Sequence, residues 1–455
     1  MLTLLLLACK PDPTPEPPGC QAVGAPSSLD SWGGHADLSW ESTGFFRVES
    51  SCGRWWFVTP EGHPFYATGV NHATSYADYG QVNGVSVYAQ TVADTYGDAE
   101  AWADATADRL RGWGVNVAGS WSDYDRLGAR MAYAVNLSLA DGDWQSGAVA
   151  DWFDPAWAEA VRSTVAAQVS PRAQDPNLLG YFLDNELRWG TDWRGADKLI
   201  ELYLAKGATA PGKAVAVDEI LAFYGDIDAA NAALSTSFAD RDAMLAATDW
   251  DIQDPTLITT FISLAAEQYF ATTTAAIRAA DPNHLVLGNR ESAPVTPMEA
   301  WRAAAAHVDV LSANNYAYLD GVVDAARALS GAPDPAGMLA AMHAELDLPL
   351  LITEYGFRAD DSGLPNTWPP IYPTFDTQAE RTQAWEDYVR EAQAAPWVVG
   401  HHWFEYCDQP VEGRFDGEDN NWGMINELDE PYPELTARMT EVNAEIWQEL
   451  ALPPE

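Results

Sequence analysis

Basic residues are scarce in this sequence of 455 residues: 24 Lys and Arg stand against 67 Asp and Glu, a formal net charge of −43. Such a surface repels phosphate backbones and anionic headgroups, which argues against nucleic acid and polybasic membrane contact and favours a neutral or cationic partner. Cysteine is almost missing, with 4 in the whole chain and no pair at zinc spacing. No unit of about 20–50 residues repeats, so solenoids and propellers are excluded. The first apolar strand is not followed by G-x-G-x-x-G, and neither H-E-x-x-H nor G-x-S-x-G occurs. Dinucleotide binding, zinc-protease chemistry and a serine nucleophile elbow therefore lack their motifs, and no cofactor is expected. A metal hydrolase built on His401 and His402 with His63 or His72 is disfavoured, because neighbours on a strand point to opposite faces.

Aromatic residues, by contrast, are abundant. The chain carries 20 Trp and 18 Tyr at an otherwise ordinary 47% hydrophobic and 20% charged composition. Aromatic faces beside acids suit the stacking of sugar rings, although a large core also absorbs aromatics. At the amino end, MLTLLLLA followed by Cys9 resembles a bacterial lipobox and is too short to span a bilayer, which takes about 20 residues. Residues 1–9 are thus expected to be a signal with Cys9 as the lipidated residue, the alternative being an ordinary truncated signal. Residues 10–20, half proline at their centre, form an extended tether. This organisation implies export, as a cell-surface or periplasmic lipoprotein or a secreted protein, with membrane contact only through the lipid. Cys20 and Cys52 could close a loop that leaves Cys407 over, and pairing of Cys407 with either is equally compatible with the sequence.

Residues 21–455 read as one catalytic domain. Apolar runs at 65–70, 115–120, 131–137, 179–183, 285–287, 308–312, 348–353 and 398–404 are each apolar enough to be strands buried on both faces. Amphipathic stretches at 99–112, 155–169, 256–280, 296–306, 378–394 and 433–450 alternate with them as helices. Such alternation predicts a (β/α)8 TIM barrel, with a doubly wound open sheet as runner-up. A helical insertion is expected at about 190–254, after the fourth strand. Long segments rich in Pro, Gly, Asp and Asn follow the seventh and eighth strands, so they crowd the carboxyl rim where barrel sites form.

Two glutamates end apolar strands on that rim. Leu179-Gly-Tyr-Phe-Leu-Asp184-Asn185-Glu186 closes the fourth strand, and Leu348-Pro-Leu-Leu-Ile-Thr353-Glu354 closes the seventh. Facing carboxylates across a cleft are the minimal equipment for glycoside hydrolysis, one protonating the leaving oxygen while the other attacks the anomeric carbon or activates water. The two must differ in protonation, so one requires surroundings that raise its pKa. Asn71 and His72 at the first strand end, Trp121 at the second and Tyr316 after the sixth are expected around the same mouth. Asp184 is read as orienting Asn185 or binding substrate, while Asp408, Gln409 and Trp422 suit hydroxyl recognition and stacking.

Asn185-Glu186 with Glu354 resembles the signature of the clan A retaining glycoside hydrolases. Longer blocks, among them Gly53-Arg-Trp-Trp-Phe-Val-Thr-Pro-Glu-Gly-His63, Gly69-Val-Asn71-His72, His402-Trp403-Phe404 with Asp408-Gln409-Pro410, and Asn421-Trp422-Gly-Met-Ile425, are most similar to the β-agarase family, glycoside hydrolase family 50. The resemblance runs from about Gly53 to the carboxyl end. It implies Glu186 as acid/base, Asn185 as donor to the sugar 2-hydroxyl, Glu354 as nucleophile, Tyr316 as donor to that nucleophile and Trp403 as the platform under the sugar. The substrate it implies is a neutral β-linked galactan, agarose or its oligosaccharides. The alternatives are another clan A β-glycanase (a β-galactosidase, mannanase or glucanase) or a surface barrel that binds glycans without cutting them. Two departures from the family stand out: the segment before the first barrel strand is short, and Glu405 occupies a position where Gln is expected.

Overall fold

The computed structural model describes residues 21–22, 24–293, 295–316, 335–369, 372 and 374–452. Cys9, Cys20, the signal and the tether lie outside them. Cys52 is disulfide-bonded, whereas Cys407 is buried and free.

Nine strand segments make one curled parallel sheet. In chain order they are β1 (Ala67–Val70), β2 (Val117–Ala118), β3 (Ala132–Asn136), β4 (Leu178–Phe182), β5 (Leu285–Val286), β6 (Arg290–Ser292), β7 (Leu311–Asn314), β8 (Leu350–Tyr355) and β9 (Val398–Trp403). Hydrogen bonding runs in the order β6-β7-β8-β9-β1-β2-β3-β4-β5. The two end segments are separated in sequence only by Leu287, Gly288 and Asn289. Neighbours on both sides hold that link: Leu183 N–H donates to Gly288 O at 2.9 Å and Ser312 Oγ to Leu287 O at 2.5 Å. An isolated bridge also joins Asn185 to Arg290.

The sheet has two apolar faces, as strands buried on both sides require. Inside the curl, Ala67, Val117, Ala134, Leu179, Phe182, Leu287, Val310, Leu351 and Val399 pack together with Phe46, Phe57 and Phe65. Phe57 and Phe65 come from a small antiparallel sheet, Arg47–Ser51 with Arg54–Val58 and Pro64–Phe65, and Phe46 directly precedes its first strand; together they fill the amino-terminal end of the curl. The outer face meets a layer of helices: α1 (Ala99–Gly112), α2 (Pro155–Gln168), α3 (Pro255–Ala280), α4 (Met298–Ala305), α5 (Pro335–Leu346), α6 (Gln378–Ala394) and α7 (Pro433–Glu449).

Local chemistry sets where these helices begin. Asp154 and Asp254 cap α2 and α3 through their carboxylates, each followed by proline in the first turn, and Thr377 with Glu380 forms a capping box on α6. Between Gly190 and α3 lie four shorter helices, Leu199–Leu204, Pro211–Tyr224, Ile227–Leu234 and Arg241–Ala246.

Packing between β9 and β1 is tight enough to demand glycine. A Cβ added at Gly400 would stand 2.3 Å from the Ala67 carbonyl oxygen, a backbone atom with no freedom to retreat. Gly400→Ala is therefore expected to lower unfolding free energy by about 1–3 kcal/mol. Gly207→Ala, with nothing within 4 Å of the new carbon, should stay within about 0.5 kcal/mol. Denaturant titration of the two variants checks the contrast.

Candidate active site

At the carboxyl ends of the strands the interior turns from apolar to polar, and a buried arginine organises the change. Arg290, on the short strand β6, is fully buried. Its guanidinium pairs with Glu354 Oε1 at 2.9 Å and donates to Asn185 Oδ1 at 3.0 Å and to the Thr353 carbonyl at 2.8 Å. Its flat face lies 4.4 Å from the Trp121 ring centroid, a cation–π contact that partly replaces lost hydration. Tyr316 completes the surroundings of Glu354 by donating its hydroxyl to Oε2 at 2.8 Å. Burial and the Glu354 charge push the Tyr316 phenol well above its usual range, so that hydroxyl remains a donor.

Glu186 has a different environment. Asn314 Nδ2 donates to its Oε1 at 3.2 Å and Trp144 Nε1 to its Oε2 at 3.0 Å. Among the described residues no basic side chain comes within ion-pair distance of it. Burial, then the nearby Glu354 charge, pushes Glu186 up to about 7. Two carboxyls thus share one cradle with opposite equipment, one held by a cation and one left to keep its proton. Asn314 and Arg290 span the gap, since Asn314 also donates to Asn185 Oδ1 at 2.9 Å and accepts from Thr353 Oγ1 at 2.9 Å. Asn185 Nδ2 is left without a partner among the described residues.

Backbone strain marks the same rim. His72, Trp121 and Glu186, at the ends of β1, β2 and β4, have φ of 54°, 61° and 47°. For non-glycine residues such left-handed conformations cost on the order of 1 kcal/mol or more each and persist where the surroundings enforce them.

The expected site residues divide into groups. Glu186, Glu354, Asn185, Tyr316 and Trp121 converge as described. His72 lies on the same rim, its Nδ1 donating to Glu405 Oε2 at 2.6 Å with Asp78 3.7 Å away. Burial opposes charge on His72, but Asp78 and Glu405 outweigh it, so its pKa is raised. His72, Asp78 and Glu405 come close enough to hold a metal ion. Arg414 already fills that role, 3.6 Å from Asp78 and 3.8 Å from Glu405. Gln409 is wholly buried and donates to Glu405 at 2.9 Å and to Glu418 at 2.7 Å. Trp422 is buried against Tyr316 and Tyr372, walling the mouth beside Glu354.

Four residues are used differently from the sequence reading. Trp403 is not the platform: its ring faces Tyr355, Phe357 and Arg381 on the helix side, and its Nε1 donates to Trp422 O at 2.7 Å. Strand alternation gives the mouth-facing position to the next residue, Phe404, whose ring lies 6.5 Å from Trp121. Asn71 spends both amide atoms on backbone, accepting from Ser120 N–H at 2.9 Å and donating to Thr353 O at 2.8 Å. Asp184 turns from Asn185 and accepts from Leu139 N–H at 3.0 Å and Tyr269 Oη at 2.5 Å. Asp408 accepts from Asn421, the Gly423 N–H and Tyr432, fastening the last loop internally. His401 and His402 do part company: His401 Nδ1 meets Tyr355 Oη at 2.9 Å, while the His402 ring faces Phe182 inside the curl.

Arg290, Asn314, Trp144, Asp78 and Arg414 were absent from the sequence-derived set. Only Asn314 carried a visible signal, standing two residues before Tyr316 at the end of an apolar run.

No family model matches the chain. It is 27% identical over 502 aligned positions to β-agarase B of Vibrio sp. (strain JT0107), covering 91% of this chain and 50% of that protein. With β-agarase A of the same strain the identity is 27% over 511 positions, covering 94% of this chain and 49% of the relative. The chain therefore spans about half the length of the curated relatives it matches. Among solved structures, the crystal structure of an agarase superposes with a TM-score of 0.78 at 26% identity, covering 93% of this chain and 68% of the other. An exo-β-agarase gives 0.77 at 25% identity, with 94% and 68% covered.

Because the Glu354 charge adds to burial in raising Glu186, Glu354→Gln should lower the Glu186 pKa from its value near 7. Carbon-13 NMR of glutamate-labelled protein, with the resonance assigned by its loss in Glu186→Gln, measures this directly. An unmoved titration would separate the two carboxyls electrostatically.

Proposed function

We propose that this protein is a retaining glycoside hydrolase that cleaves a neutral β-linked galactan, agarose or its oligosaccharides. One observation carries the reading: two carboxyls in one cradle, Glu354 paired with Arg290 and Glu186 raised to about 7 without an ion-pair partner. That division of labour is what double displacement needs. Similarity to agarases supports the substrate.

In the first step the Glu354 carboxylate attacks the anomeric carbon as Glu186 passes its proton to the departing glycosidic oxygen. Arg290 and Tyr316 orient the attacking group. Once Glu354 is esterified its charge is gone, so the Coulomb push on Glu186 falls, its pKa drops, and it stands ionised and free to act as a base. It then deprotonates the water that releases the sugar with retained configuration. Asn185 Nδ2 donates to the sugar 2-hydroxyl, and Trp121 and Phe404 form the apolar floor.

Exposed aromatics support a glycan track. Among the described residues, Tyr76, Tyr79, Trp144, Trp193, Trp368 and Phe415 are the exposed aromatic side chains. Every one sits on a segment leaving the carboxyl end of a sheet strand. In this reading the curled sheet is a (β/α)8 barrel whose fifth strand is split into β5 and β6, residues 21–455 are a single catalytic domain, and the 190–254 segment is an insertion. Export with Cys9 lipidated and residues 10–20 as tether completes the proposal.

Glu354→Gln should abolish turnover of agaro-oligosaccharides while sugar binding survives, and Glu186→Gln should lower kcat by about 10²–10⁴-fold. Proton NMR of the first product should show the β-anomer. Near-wild-type rates in Glu354→Gln, or an α-anomer, would overturn the mechanism.

A further inference from the structure

The geometry points to Trp144 as a positioning residue that fixes which oxygen of Glu186 carries the acid proton. This rests on the hydrolase reading for its consequence, but the contact itself is independent of it. Trp144 donates Nε1–H to Glu186 Oε2 at 3.0 Å while the residue as a whole stays 38% exposed. A tryptophan left that far in water adds little to a core, and water would satisfy its N–H equally well. Something other than packing must hold it there.

The loop that bears it is fastened in detail. Asp143 and Ala148 close a bridge, Asp143 N–H donating to Ala148 O at 3.0 Å, and the Asp143 carboxylate accepts from Ser146 N–H at 2.6 Å. Gly147 turns the chain at a φ of 70°, a conformation glycine adopts without cost. Arg194, from the segment after β4, donates to the Trp144 carbonyl at 3.3 Å and is itself held on Asp192. Arg188 reaches Gly147 O at 3.4 Å. Both arginines lie on the segment that follows Glu186, so the indole and the carboxyl are referenced to one frame.

The chemical effect follows from the donor pattern. An oxygen that accepts an indole N–H in this fixed direction is the natural carbonyl oxygen of a protonated carboxyl. The proton then resides on Oε1, where the Asn314 amide donates over the longer distance of 3.2 Å. The same N–H stabilises the ionised form, so it counters part of the upward push from burial and Glu354. The other charged or titratable groups facing Glu186 are Arg194 after β4 and Tyr316 after β7, with Arg290 on β6 acting through Glu354.

Fluorine NMR of the full chain labelled with 5-fluorotryptophan reads the contact without activity. The Trp144 resonance, assigned by its loss in Trp144→Phe, should titrate near pH 7 and become flat in Glu186→Gln. In Trp144→Phe the alkaline limb of kcat/KM on agaro-oligosaccharides should move about one pH unit higher, as expected on losing one hydrogen bond to a charged group. Trp144→Ala should show the same displacement. A flat Trp144 resonance in the unsubstituted protein, or a Trp144→Phe profile with unmoved limbs, overturns the proposal. Failure of the hydrolase reading shows separately, as undiminished activity in Glu354→Gln, and leaves the fluorine titration in place.

Discussion

The site depends on one buried cation. Arg290 is held from Asn185, Thr353 and Glu354 and stacked on Trp121, so a single guanidinium ties the ends of four sheet segments. Burying such a group costs several kcal/mol unless its partners are in place, and only the complete set of strand ends supplies them. The split between β5 and β6 follows from the same demand. The apolar strand ends at Leu287, Gly288 turns at a φ of 77°, and the chain resumes with Arg290 directed inward. A continuous apolar strand would have delivered no charge to this point.

Much of this was readable in the residues. Apolar runs located the strands because strands buried on both faces need continuous hydrophobicity, and amphipathic stretches located α2 and α3 because each helix buries one face against the sheet. Glu186 and Glu354 were visible as acids directly after such runs. Arg290 was hidden because Arg-Glu-Ser has no apolar signature, although it forms a strand. Asn71, Asp184 and Asp408 were misjudged for one common reason. A polar residue at a strand end either faces the ligand or satisfies neighbouring backbone, and which occurs depends on partners distant in the chain. Trp403 failed on parity, where an error of one residue exchanges mouth for helix layer.

Scarcity of basic residues explains why the two carboxyls differ. With 24 Lys and Arg against 67 acids, cations cannot meet every acid that folds into the interior. Asp184, Glu291 and Glu186, which have no ion-pair partner among the described residues, are pushed up to about 7, burial being the largest cause in each. A raised carboxyl is therefore the state of these unpaired buried acids. Glu354 differs from them in having Arg290 2.9 Å from its Oε1. The asymmetry needed for acid and nucleophile then requires no special device at Glu186 beyond burial. It requires one arginine at Glu354, with the strand ends shaped to hold it, and that arrangement is what the polar interior of the rim supplies.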